Sequence, residues 1–161
     1  MTGAAAAPVI SLRPVEDGDL SLFFEWQSDE ESYRMAAVPT RDAEAFAAHW
    51  ARNRSNPENF MRTIVADGVV VGNVLSWTGD EGRMVGYWIG KAHWGRGIAS
   101  AALRLYLDDV EQHRPLLASV AEHNAASRRV LEKAGFQFVA RELVDDGPEP
   151  GTFAELHFRL G

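Results

Sequence analysis

The chain contains no cysteine. That absence excludes disulfide scaffolds, thiolate metal sites and every mechanism built on a cysteine nucleophile. Lysine is almost missing as well: Lys91 and Lys133 stand alone, and the other basic residues are arginine, a side chain that forks onto phosphate oxygens. Positive charge as a whole is short, with 16 Lys and Arg against 23 Asp and Glu, a net charge of −7. That balance disfavours binding through a broad basic surface, as nucleic-acid backbones and anionic membranes require, whereas a neutral or cationic partner fits. No apolar run approaches a membrane span. Residues 1–8 lack the basic start and long apolar core of a secretory signal and read as a mobile tail. The expectation is a cytoplasmic protein, monomer or homodimer, without nucleic-acid or membrane partners. With 161 residues, 46% of them hydrophobic, residues 9–161 suffice for a single domain with its own core.

What is present alternates between two periodicities. Val9 to Arg13 reads as an edge strand closed by Pro14. Asp17 or Asp19 is placed to cap a helix through Leu20, Phe23, Phe24 and Gln27. A second helix follows Thr40, with Asp42 and Glu44 in its first turn and Phe46, Ala47 and Trp50 on one face, and ends before Asn56 and Pro57. Three strands follow, Phe60 to Ala66, Val69 to Trp77 and Arg83 to Ile89. Asp67 and Gly68 form a type I′ hairpin signal between the first two, since both central residues of that turn need positive φ.

Beyond Gly97 a largely buried helix is predicted, with Ser100, Arg104, Asp108 and Glu111 as its narrow polar stripe. Leu116 to Val120 reads as a buried strand, and Asn124 to Ala134 as a helix closed by Gly135 and Phe136. Phe136 to Glu142 and Phe153 to Leu160 are the last strands, joined by an acidic loop with Asp145 and Asp146. This order predicts an α/β (mixed α+β) fold: a mostly antiparallel sheet of roughly six or seven strands, with about four helices on its faces. The crossover through Ile98 to Arg114 makes Arg83–Ile89 and Leu116–Val120 parallel neighbours, and a ligand is expected where their carboxyl ends open.

Between that strand and the buried helix lies Trp94-Gly95-Arg96-Gly97-Ile98-Ala99-Ser100. Glycines there let the backbone curve around an anion, and the free amides and dipole of the helix start favour phosphate, with Arg96 available as a fork. Taken alone, the segment serves equally as a tight strand-to-helix turn. It has neither the lysine of a Walker loop nor the dinucleotide fingerprint.

In order along the chain, Gly86-Tyr87-Trp88-Ile89-Gly90, Trp94 to Ser100, Asn124-Ala125-Ala126-Ser127 and Val130-Leu131-Glu132-Lys133-Ala134-Gly135-Phe136 resemble the GNAT superfamily of N-acetyltransferases. The likeness is to the subgroup that includes ribosomal-protein N-terminal acetyltransferases. It implies a fold whose parallel strands splay around acetyl-CoA, with no metal. The pyrophosphate would lie on the amides of Gly95, Arg96, Gly97, Ile98, Ala99 and Ser100 beside Trp94. The pantetheine arm would pair with the strand at Trp88 and Ile89, close to Asn124 and Ser127. The implied activity is direct acetyl transfer to a primary amine, either a protein N-terminus or a small amine such as an aminoglycoside, polyamine or amino acid. A non-catalytic acyl-CoA sensor is the alternative.

Two departures from the family pattern bear on catalysis. Leu131 stands where many relatives carry the tyrosine that protonates the departing thiolate, which makes Ser127 the candidate acid, with Asn124 beside it. Met84 stands where many carry a glutamate, leaving Glu122, His123, His93 or the Asp145–Asp146 pair as candidate bases. Trp26, Tyr33, Trp77 and Trp88 are the aromatic candidates for an acceptor wall, although such residues are core first.

Overall fold

The computed structural model describes residues 6–145 and 152–161. Most of the N-terminal tail, and Asp146 with the rest of the loop to Gly151, lie outside the described residues. Strand β1 (Ile10–Pro14) leads through three helices, α1 (Asp19–Ser28), α2 (Glu30–Ala36) and α3 (Ala43–Ser55), into a meander of β2 (Phe60–Ala66), β3 (Val69–Gly79) and β4 (Gly82–Ile89). After a single 3-10 turn, Lys91–His93, come α4 (Ile98–Asp109), β5 (Leu116–Ala121), α5 (Ala125–Lys133), β6 (Gln137–Val144) and β7 (Phe153–Leu160).

The seven strands form one sheet in the order β1-β2-β3-β4-β5-β7-β6, with β1 at an edge as its sequence predicts. Every pairing is antiparallel except β4 with β5. That parallel pair touches only at Arg83 opposite Leu116 and Met84 opposite Leu117, so the strands part towards their carboxyl ends. Asp67 and Gly68 take positive φ, 49° and 81°, as the hairpin requires.

Local sequence explains most of the helices. Asp42 and Asn124 cap α3 and α5 by accepting the amides of Ala45 and Ser127. Gly135, at φ 97°, ends the turn after α5 and lets Phe136 bury itself against the core. One helix more than expected is present. Helix α2 is capped by Asp29, which accepts the Ser32 amide at 3.0 Å and its hydroxyl at 2.8 Å, and Glu30 and Glu31 favour its first turn.

Two charged residues expected at the surface or at a cap are instead structural. Asp19 does not cap α1, whose cap position is Gly18. Its buried carboxylate accepts both Arg13 guanidinium nitrogens at 2.8 and 2.9 Å, the Glu16 amide and the Thr63 hydroxyl, tying α1 to β1 and β2. The Arg13 hydrogen bonds hold it down at about 2. Glu111, expected on the polar stripe of α4, lies past the end of that helix and turns inward, fully buried. It pairs with Arg83 at 3.0 Å and accepts from Ser76 at 2.7 Å. Burial pushes its pKa up, but Arg83 and Ser76 outweigh that and hold it below the usual carboxylate range. Periodicity alone does not reveal this partner, which lies 28 residues earlier.

The main core lies between the sheet and helices α4 and α5, around Ile64, Val74, Val85, Leu103, Tyr106 and Leu131. A smaller one, Phe23, Phe46 and Trp50, seats α1 and α3 on the opposite face. No described helix is long and apolar enough to cross a membrane.

Candidate functional site

The parting of β4 from β5 opens a cleft of about 560 Å3, lined by the end of β4, the segment after it, the start of α4 and one face of α5. Gly90 donates its amide to Val71 on β3 at 2.9 Å. By alternation, Tyr87 and Ile89 therefore turn their peptide groups away from β3 and into the gap. The Ile89 carbonyl receives the Trp94 indole N–H at 2.9 Å, which fixes the half-exposed Trp94 over the strand end.

The glycine segment has the backbone its composition calls for. Gly95 and Gly97 take φ of 76° and 74°, and a Cβ on either would meet nothing within 4 Å. Space lies open above both. Gly97 is the cap position of α4 and offers no side chain, and the first helical bond runs from the Ala101 amide to Gly97. The amides of Ile98, Ala99 and Ser100 thus have no partner within the helix. Oriented free amides at a helix start, next to open space, form an anion cradle. Arg129 and Lys133, one turn apart on α5, bring positive charge to the same cleft.

At the other end of the gap, the Tyr87 phenol crosses from β4 to α5, 2.7 Å from the Ser127 hydroxyl and 3.1 Å from the Ser127 carbonyl. Burial pushes Tyr87 up to about 12, against the opposing effect of the Ser127 hydrogen bond. The phenol therefore keeps its proton at neutral pH. With its single proton donated to the Ser127 carbonyl, the phenol oxygen accepts from the Ser127 hydroxyl, so the two groups share one hydrogen-bonded proton path beside the cleft.

The sequence-predicted residues divide cleanly. Trp88, Ile89, Trp94, Gly95, Gly97, Ile98, Ala99, Ser100, Asn124 and Ser127 all line the cleft, whereas Arg96 does not. Of the acceptor candidates only Trp88 lines it. Trp26 and Trp77 instead cover Gly90 and Gly86, and Tyr33 belongs to α2 outside the lining. Of the candidate bases, His93 and His123 line the cleft, and His123 Nε2 lies 2.9 Å from the Arg34 carbonyl. Glu122 is outside the lining and held by Arg141 at 2.6 Å, which lowers its pKa. Asp145 is also outside, and Asp146 lies beyond the described residues. Leu131 is buried in the core, and Met84 packs towards Gly79, away from the cleft.

Sequence reasoning missed Ser32, Met35 and Ala36, which line the cleft from the unexpected helix α2. It gave the Tyr87 side chain no role and overlooked Arg129 and Lys133. The four-residue spacing of those two from each other, and of Arg129 from Ala125, was the available signal.

The acetyltransferase (GNAT) domain family matches residues 10–137. The chain belongs to the GNAT family. Among curated proteins, the probable N-acetyltransferase YjcK of Bacillus subtilis is 46% identical over 66 residues, 37% of this chain and 36% of YjcK, so the match spans about a third of that relative. Mycobacterium smegmatis RimJ, solved with CoA-disulfide, superposes with a TM-score of 0.78 at 22% identity, covering 96% of this chain and 82% of RimJ. Spermidine N-acetyltransferase from Vibrio cholerae, solved with CoA and spermine, gives 0.81 at 13% identity, covering 94% of each chain. At these identities the two structures show a shared fold.

Proposed function

We propose that the protein is an acetyl-CoA-dependent N-acetyltransferase that passes the acetyl group directly to a primary amine within a ternary complex, in the cytoplasm. One observation carries the reading: the open, left-handed glycines and unpartnered amides at the start of α4 share one cleft with the splayed end of β4 and with the Tyr87–Ser127 pair. That combination suits a long ligand with phosphate at one end and a reacting carbonyl at the other. Related folds solved with CoA support it.

In this reading the amides of Gly95 to Ser100 hold the pyrophosphate, with Arg129 and Lys133 as further positive charge. The edge of β4 at Tyr87 and Ile89 accepts the pantetheine arm as an added strand, and Asn124 keeps the start of α5 in place beside it. Acetyl-CoA supplies an acyl carbon already activated as a thioester. The Ile89 amide points into the gap, where it stabilises negative charge on the acyl oxygen. Ser127 turns its proton to the departing sulfur and is reprotonated by the neighbouring Tyr87 phenol, the stronger acid of the two, which regains its proton from solvent. The amine's own proton leaves towards His93 or His123, the imidazoles on the cleft wall. Most of the acceleration comes from alignment of amine and thioester.

The test incubates the protein with acetyl-CoA and a panel of primary amines, reading free CoA with a thiol reagent and the acetylated amine by mass spectrometry. The absence of cysteine removes protein background from the thiol reading. Amine-dependent release of CoA with one acetyl added to the amine is expected. Tight acetyl-CoA binding with no product from any amine would favour a sensor instead.

A further inference from the structure

An amine that bonds to a thioester carbon must lose a proton, and the cleft holds few groups able to take it. No carboxylate is among the described residues that line it. Glu122, outside the lining, is held by two Arg141 nitrogens at 2.6 and 3.2 Å. Tyr87 keeps its own proton at neutral pH and serves the sulfur. Two imidazoles remain, His93 and His123, and their settings differ.

His123 is exposed and lines the cleft from the turn between β5 and α5, which the Asn124 amide closes on the Ala121 carbonyl at 2.9 Å. Its Nε2 lies 2.9 Å from the Arg34 carbonyl in the last turn of α2. Ala37, at φ 54°, ends that helix, and the Val38 amide turns to Tyr33. The Arg34 carbonyl therefore receives only the Ala37 amide, at 3.2 Å, from the backbone and has a lone pair left for the imidazole. A carbonyl only accepts. In the neutral ring the hydrogen is thus on Nε2, and Nδ1 keeps its lone pair. Nδ1 has no hydrogen-bond partner among the described residues. Helix α2 fixes the tautomer and the ring, and the basic nitrogen is left unspent. His123 also immediately precedes Asn124, whose side chain accepts the Ser127 amide at 3.2 Å, so one capped turn seats both the imidazole and the serine.

His93 has no such support. It ends the 3-10 turn that leads into the glycine segment, and its ring makes no hydrogen bond among the described residues. Nothing there selects a tautomer.

We infer, resting on the acetyltransferase reading above, that His123 is the general base of the reaction and that the Arg34 carbonyl holds it in its working tautomer. The amine lone pair forms the N–C bond, and the C–S pair leaves with the sulfur, which takes its proton from the Ser127–Tyr87 relay. The surplus proton on nitrogen passes to His123 Nδ1 and from there to solvent.

Nitrogen-15 NMR of the histidine rings, at a pH above the ordinary imidazole range, reads the tautomer of the wild type with no acceptor present. His123 is expected with its hydrogen on Nε2; a hydrogen on Nδ1 would overturn the inference. Kinetics supply the second arm. Alaninamide, spermidine and kanamycin are tried with acetyl-CoA, product is read by mass spectrometry, and the amine that the wild type acetylates fastest is kept. His123→Gln retains an N–H for the Arg34 carbonyl but has no basic nitrogen, so kcat should fall roughly 10^2-fold while the acetyl-CoA Kd and the amine KM stay within about threefold. Added imidazole should restore part of the rate of His123→Ala and none of any loss in His93→Ala. A His123→Gln kcat within about threefold of wild type, a folded His123→Ala that imidazole does not accelerate, or rescue of His93→Ala instead would each overturn the assignment. Failure of the underlying reading looks different: no acetylated product from any of the three amines with the wild type, whichever tautomer His123 holds.

Discussion

Replacing Ser127 with alanine and Tyr87 with phenylalanine, singly and together, tests how the departing thiolate is protonated. The two hydroxyls are 2.7 Å apart, and the phenol, pushed up to about 12 by burial, is ionised in about one molecule in 10^5 at neutral pH. Tyr87 therefore holds its proton in reserve, and in the proposed relay it restores the proton that Ser127 gives to the sulfur. Losing a general acid from a reaction with a good leaving group costs roughly 10^2 in rate, about 2.7 kcal/mol, so Ser127→Ala should lower kcat by that factor. Because the change leaves the glycine segment intact, the acetyl-CoA Kd should move less than about threefold. Tyr87→Phe removes one hydrogen bond to the acid and should lower kcat roughly three- to tenfold, with about 1 kcal/mol lost in stability. If Tyr87 acts only through Ser127, the double variant is no slower than Ser127→Ala alone. Single-turnover rates in excess enzyme, with calorimetric Kd values for each variant, provide the comparison. A Ser127→Ala rate within about twofold of wild type would remove Ser127 from the chemistry, and fully multiplicative losses would refute the coupling.

Other parts of the structure make separate predictions. Glu111→Leu leaves the buried Arg83 guanidinium without its counter-charge and should cost about 3–5 kcal/mol in urea unfolding; a loss under about 1 kcal/mol would contradict the pairing. Asp19, lowered to about 2, contributes stability that is fully present above its unfolded pKa near 4 and is lost as pH falls through about 2, on the order of 2 kcal/mol. Asp19→Asn should flatten that acid limb in denaturant midpoints taken against pH, and an unchanged slope would assign it elsewhere. Gly97→Ala forces a side chain into φ 74° at about 1 kcal/mol and puts a methyl into the open space over the amides, so the acetyl-CoA Kd should rise at least roughly tenfold. Calorimetry on the folded variant checks this.

Features set by neighbouring residues were legible in the sequence. The Asp67-Gly68 turn, the cap at Asn124, the glycine end of α5 and the glycine segment before α4 each depend on a few consecutive residues with a strong backbone preference; Asp42, expected inside the first turn of α3, is instead its cap. The splayed parallel pair followed from one chain-direction rule applied to a strand, a helix and a strand. Long-range pairings were not legible. Glu111 sits in register with the polar face of α4, and only Arg83, buried on β4, explains why it turns inward. Tyr87 and Ser127 are 40 residues apart and meet because the phenol reaches across the gap from β4 to the start of α5, which packs on β5 and α4. Helix α2 was hidden by its seven residues, too short for a periodic stripe, though Asp29 followed by Glu30 and Glu31 announced its start.

The measurement that bears most directly on the central claim is a calorimetric titration of the wild-type protein and Gly97→Ala with acetyl-CoA, repeated with ATP and with NAD. Saturable one-to-one binding of acetyl-CoA by the wild type is expected, weakened in Gly97→Ala and not displaced by ATP or NAD. Absence of acetyl-CoA binding by the folded protein, or tighter binding of ATP or NAD, would contradict it.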